Sequence, residues 1–112
     1  MQLPLYQVKA ELFRTLGHPV RIRVLELLQD GPKPVRELLV EIDVEALNLF
    51  QQLAVLRRAG LVTFVRHGSL VVYAMSTGDV AELLAVARRI LGTMLSDRDG
   101  LWEQLRADGR PR

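Results

Sequence analysis

A chain of 112 residues has the length of one domain and should bury about two-thirds of the surface that its unfolded form exposes. With 49% hydrophobic and 25% charged residues and no apolar run long enough to cross a bilayer, disorder and a membrane-spanning helix are excluded, and a soluble domain is expected. The absence of cysteine removes disulfides, thiolate metal sites, a cysteine nucleophile and thiol redox sensing, and the net charge of +2 is too small to name a partner.

Leu5, Val8, Leu12 and Leu16 recur at helical spacing, with Phe13 beside them, and Gly17-His18-Pro19 ends this first helix. Pro19 suits the first position of a second helix capped by His18, whose apolar face is Val20, Val24, Leu27 and Leu28 up to Gly31-Pro32. Pro34 opens a short third helix through Val35, Leu38, Leu39 and Ile42, and the acidic stretch Glu41 to Glu45 separates it from a fourth. On that fourth helix, Ala46 to Ala59, steps of about 100° put Leu49, Leu53 and Leu56 on the core side and Gln51 directly outward. Leu47, Asn48, Ala54 and Val55 flank Gln51, while Phe50 and Gln52 fall at the margins; Phe50 is expected to pack against the third helix. Gly60 caps the helix, and Leu61 to Arg66 and Leu70 to Met75 read as two strands joined through His67-Gly68-Ser69.

Thr77-Gly78-Asp79 starts a last helix with apolar residues at Val80, Leu84, Ala87, Leu91, Met94, Leu101 and Leu105. Run to Leu105 it would be roughly 40 Å long, or two shorter helices if Asp97-Arg98-Asp99-Gly100 interrupts it. That stripe outruns the core of so short a chain, and with the exposed side of the first helix it calls for a second copy to cover it. Residues 106–112 read as a basic flexible tail after a domain spanning 1–105. Met1 to Tyr6 carries no basic and apolar leader pattern, so a cytoplasmic protein with no membrane partner is expected.

The order of elements is four helices, a hairpin and a long helix, which is mainly α with a small β-hairpin, the order of a winged helix-turn-helix. Charge is distributed to match. Residues 46 to 78 contain no acid but hold Arg57, Arg58, Arg66 and His67, so the fourth helix and the hairpin together form a face that phosphate would not be repelled from. A helix fits the B-DNA major groove, and a hairpin tip can lie along the neighbouring backbone.

Leu16-Gly17-His18-Pro19-Val20-Arg21-Ile22-Arg23-Val24-Leu25-Glu26-Leu27-Leu28, then Gln52-Leu53-Ala54-Val55-Leu56-Arg57-Arg58-Ala59-Gly60-Leu61-Val62, then Arg66-His67-Gly68 and Val72-Tyr73 resemble the ArsR/SmtB family of bacterial transcriptional regulators. The resemblance runs from about Leu5 to Leu95. It implies a homodimer, joined through its first and last helices, that binds a palindromic double-stranded DNA operator. Leu47, Asn48, Gln51, Gln52, Arg57, Arg58, Arg66 and His67 are then the expected DNA contacts, and Leu5, Val8, Leu12, Leu84, Leu91, Met94 and Trp102 the expected dimer contacts. Asn and Gln suit bidentate contacts to adenine and Leu47 a thymine methyl, which points to an A·T-containing half-site.

The chain departs from the family pattern in two ways. The front of the fourth helix carries Ala46, Leu47 and Phe50 where small polar residues are frequent in the family. The cysteine pair that many members use for metals is absent, and a last-helix pattern started at Asp79 meets Ala81, Gly92 and Leu95 where ligands would be required. No cofactor and no metal site are therefore expected, and a metal effector is left open only through an oxygen-rich set, Asp97, Asp99 and Glu103. Arg21 and Arg23 read as intramolecular ion-pair formers, the latter with Glu26, and Arg57 and Arg58 fit a helix C-terminus as well as a phosphate. No phosphate loop, nucleophile elbow or metalloprotease motif is present, so no enzyme is expected. The alternative is a winged-helix module that binds protein through Leu47, Phe50 and Val55.

Overall fold

The structure is a computed structural model that describes residues 2–96. Its elements run α1 (Leu5–Leu16), α2 (Pro19–Leu28), β1 (Lys33–Pro34), α3 (Val35–Glu41), α4 (Ala46–Arg58), β2 (Val62–His67), β3 (Leu70–Met75) and α5 (Asp79–Leu95). The chain divides between Ala81 and Glu82 into two units, the first holding α1 through β3 and the start of α5. Leu101, Trp102, Leu105, the Asp97, Asp99 and Glu103 set and the basic tail 106–112 lie outside the described residues.

Each boundary has a local cause. His18 is extended and its Nδ1 accepts the Val20 backbone N–H at 3.2 Å, while Pro19 occupies the first turn of α2, where a missing N–H costs nothing. α4 ends in a Schellman motif: the Leu61 N–H donates to the Leu56 carbonyl and the Gly60 N–H to that of Arg57, with Gly60 at φ +79. Leu56 and Leu61 are both buried, which supplies the apolar contact that accompanies this cap and fixes how the chain leaves α4 for β2.

The core of the first unit joins Val24, Leu25 and Leu28 of α2, Leu38 of α3, Leu49, Leu53 and Leu56 of α4, and Val62 of β2. All three leucines of the α4 stripe are fully buried, as their spacing predicts. α2 also buries Leu25, which the sequence reading left off its apolar face.

The sheet differs from the expected two-stranded ribbon. It has three antiparallel strands in the order β1-β3-β2, with Lys33 opposite Tyr73 and Pro34 opposite Val72. A two-residue strand has no period-two signature, and Pro34, which cannot donate to a ladder, is tolerated because β1 lies at the edge. β2 and β3 pair in continuous register from Val62 opposite Met75 to His67 opposite Leu70, leaving Gly68 and Ser69 as a two-residue turn. Gly68 alone of the two has positive φ, +63, the pattern of a type II′ hairpin turn. His67 therefore ends the strand rather than belonging to the loop. The whole is a winged helix-turn-helix.

Candidate nucleic-acid interface

Burial of Leu49, Leu53 and Leu56 sets the rotation of α4 and thereby what its other side presents. Leu47, Gln51, Arg57 and Arg58 are exposed, Leu47 at 67%. Asn48 and Gln52 are half-buried and engage each other, the Gln52 Nε2 donating to the Asn48 Oδ1 at 3.0 Å. One donor and one acceptor of that pair are thus already used, and Gln51 is the exposed amide among the three.

Arg66 and His67, at the end of β2, are both exposed beside the hairpin turn. Behind them Phe64 and Tyr73 face each other across the strands with ring centroids 5.5 Å apart. The Arg57 guanidinium lies over the Phe64 ring at 5.0 Å, a cation–π contact that ties the end of α4 to the wing. Arg57 is therefore more than a solvated helix terminus, although it remains exposed. Carboxylates do not compensate these cations: the ion pairs among the described residues are Arg14 with Glu11 and Arg23 with Glu26, in α1 and α2.

Arg23 pairs with Glu26 at 3.3 Å as expected, but Arg21 forms no ion pair among the described residues, and its Nε is buried without a hydrogen-bond partner. Phe50 does lie beside α3, in a groove lined by Val35, Arg36 and Leu39, yet it is 49% exposed rather than packed away. Sequence reasoning also missed Arg36, which brings a third-helix cation to that groove; a single arginine on a short helix carries no periodic signal that would have marked it.

The residues assigned to dimer contacts divide between the two units. In α1, Leu5 and Val8 are exposed, Leu12 is half-buried, and only Leu16 of the whole helix is buried. Tyr6 and Phe13 extend this exposed apolar surface. In α5, Leu84 is half-buried and Leu91 and Met94 are exposed, accompanied by Val86 and Ile90, which the sequence reading left off the apolar stripe of this helix. Trp102 lies outside the described residues. Among the described residues no three His, Asp or Glu side chains gather as a metal site, and no helix is long and apolar enough to cross a membrane.

A helix-turn-helix domain family matches residues 16–64, from the end of α1 into β2. The HTH-type transcriptional regulator Rv0081 of Mycobacterium tuberculosis is 53% identical over 107 residues, 95% of this chain and 94% of that one. Its crystal structure superimposes with a TM-score of 0.78 over 87% of this chain and 98% of that chain. The transcriptional repressor SmtB of the same organism is 34% identical over 74 residues, 66% of this chain and 55% of its own length. The chain belongs to the ArsR/SmtB family.

It is a transcriptional regulator with a helix-turn-helix DNA-binding fold. The fold extends to more distant ArsR-type proteins: the solution structure of the homodimeric winged helix-turn-helix domain Mb0332 from Mycobacterium bovis, a possible ArsR-family regulator, matches with a TM-score of 0.72 at 24% identity, over 85% of this chain and 88% of that one. Within this ArsR/SmtB chain the segments that carried the resemblance now have places. Leu16 to Leu28 is the end of α1 and all of α2, Gln52 to Val62 is the second half of α4 with its cap, and Arg66-His67-Gly68 is the tip of the wing.

Proposed function

We propose that the protein regulates transcription as a cytoplasmic homodimer bound to a palindromic operator, with α4 in the major groove and the β2–β3 hairpin on the adjoining backbone. The observation that carries this reading is the coincidence of the acid-free segment 46 to 78 with the exposed face of α4 and the wing. Gln51 reads base edges, helped by the free amide atoms of Asn48 and Gln52, and Leu47 meets a thymine methyl. Arg57, Arg58, Arg66 and His67 hold phosphates and set the register. Leu5, Val8 and Leu12 of α1 and Leu84, Leu91 and Met94 of α5 are covered by the second copy, which places two reading helices about a two-fold axis. With no cysteine in the chain, its signal is received by something other than a thiolate-bound metal.

Footprinting on the DNA upstream of its own gene tests this. Two protected half-sites of inverted sequence, centred about one helical turn or a multiple of it apart, are expected. Protection of a single unrepeated site, or none at low salt, would overturn the palindromic reading.

A further inference from the structure

The groove between α3, α4 and the wing has a volume of about 550 Å³. This lies within the range of about 300 to 1,000 Å³ of sites that hold small organic molecules. Phe50, Phe64 and Tyr73 supply flat apolar walls, while Arg36 of α3, Arg57 of α4 and Arg66 of β2 bring guanidinium groups from three separate elements. No acid lines the groove, and none of these arginines is ion-paired among the described residues. Partly exposed aromatic surface beside guanidinium forks that have no ion-pair partner among the described residues is the complement of one ligand chemistry, a planar ring bearing a carboxylate: the ring stacks, and the fork takes the carboxylate in two parallel hydrogen bonds. A bare inorganic anion would use the arginines and leave most of the volume and all of the aromatic wall unused.

We infer that this groove is a binding site for a small aromatic carboxylate, and that its occupancy releases DNA. Arg57 and Arg66 belong both to the groove and to the proposed phosphate-contacting set, so a carboxylate held there offsets one unit of that positive charge and occupies guanidinium donors that phosphate would otherwise use. A ligand favoured by the free protein and excluded from the complex shifts the equilibrium by its differential affinity for the two. The release of DNA rests on the operator-binding reading; the site itself does not.

The test begins without DNA. Isotope-labelled protein is titrated with 2-naphthoate and, in parallel, with its neutral isostere 2-naphthamide, and backbone amide shifts are followed by NMR. The expected result is saturable binding of 2-naphthoate with shifts centred on α3, α4 and the wing, and binding of the amide at least about tenfold weaker. Arg36→Ala, which lies outside the proposed DNA set, should weaken 2-naphthoate by about tenfold with an otherwise unchanged spectrum. Absence of saturation at millimolar ligand, shifts centred elsewhere, or equal binding of acid and amide would overturn the site. A second arm measures binding of the upstream duplex by fluorescence anisotropy. 2-Naphthoate should raise the apparent Kd for the wild type, and Arg36→Ala should need about tenfold more ligand for the same rise; an unchanged Kd for the wild type at saturating ligand would overturn the release. Failure of the duplex to bind at all would count against the operator reading while the NMR result stands.

Discussion

On α4, Asn48 and Gln52 are neighbours one turn apart and satisfy each other in part, so in the proposed complex their amides would meet DNA already oriented, whereas Gln51 would meet it free. Reading and gripping should therefore separate by residue. Gln51→Ala is expected to lose about 1 to 3 kcal/mol on the preferred site and little on random DNA, and Arg66→Ala to lose affinity on both alike. Parallel anisotropy titrations on the two duplexes would show it, and equal losses from both substitutions would contradict the division of roles. Leu53, fully buried beneath that face, sets its rotation. Leu53→Ala should cost about 2 to 5 kcal/mol in a denaturation measurement, the usual range for a leucine deleted from a packed core. The α4 stripe was legible in the sequence because three leucines at helical spacing have few ways to be buried together. The contact of Arg57 with Phe64 was not, because it joins a helix end to a strand whose relative placement no local periodicity encodes.

Between elements, the junction of α4 and β2 controls how α4 and the wing sit together. Gly60 holds it with φ +79, a conformation that costs an L-residue about 1 to 2 kcal/mol. Nothing lies within 4 Å of where a Cβ at Gly60 would project, so Gly60→Ala should destabilise the fold by that strain alone, measured as a shift in the thermal or denaturant midpoint. A substitution without effect would mean that the cap relaxes and does not fix the wing. The hairpin was readable from two segments rich in Val, Phe and Tyr and from the glycine between them, although His67 was read as part of the turn and the structure pairs it in β2. β1 was not, because Lys33–Pro34 is too short to show a pattern and becomes a strand only by lying beside β3. The groove escaped sequence reading for a related reason: its lining is gathered from α3, α4 and both long strands, positions from Val35 to Tyr73 that no spacing rule connects.

For the whole molecule, the exposed apolar residues of α1 and α5 are the surface that the proposed second copy would cover. Val8→Glu should turn a dimer into a monomer in sedimentation velocity without unfolding it, because α1 buries only Leu16 in its own unit. Leu91→Glu should do the same from the other helix, and a dimer that survives both would place the interface elsewhere. Composition pointed less clearly at this level. The summed charge of +2 hides an acid-free third of the chain, and it is that distribution, spanning α4 and the wing, that supports the proposed polyanionic partner. The most direct measurement is the affinity of the protein for a duplex from upstream of its own gene across a series of salt concentrations. The logarithm of the binding constant should fall linearly with the logarithm of salt, and Arg66→Ala should reduce the slope by about 1. Absence of binding at low salt, or affinity indifferent to salt, would contradict DNA recognition and favour a protein partner held by Leu47, Phe50 and Val55.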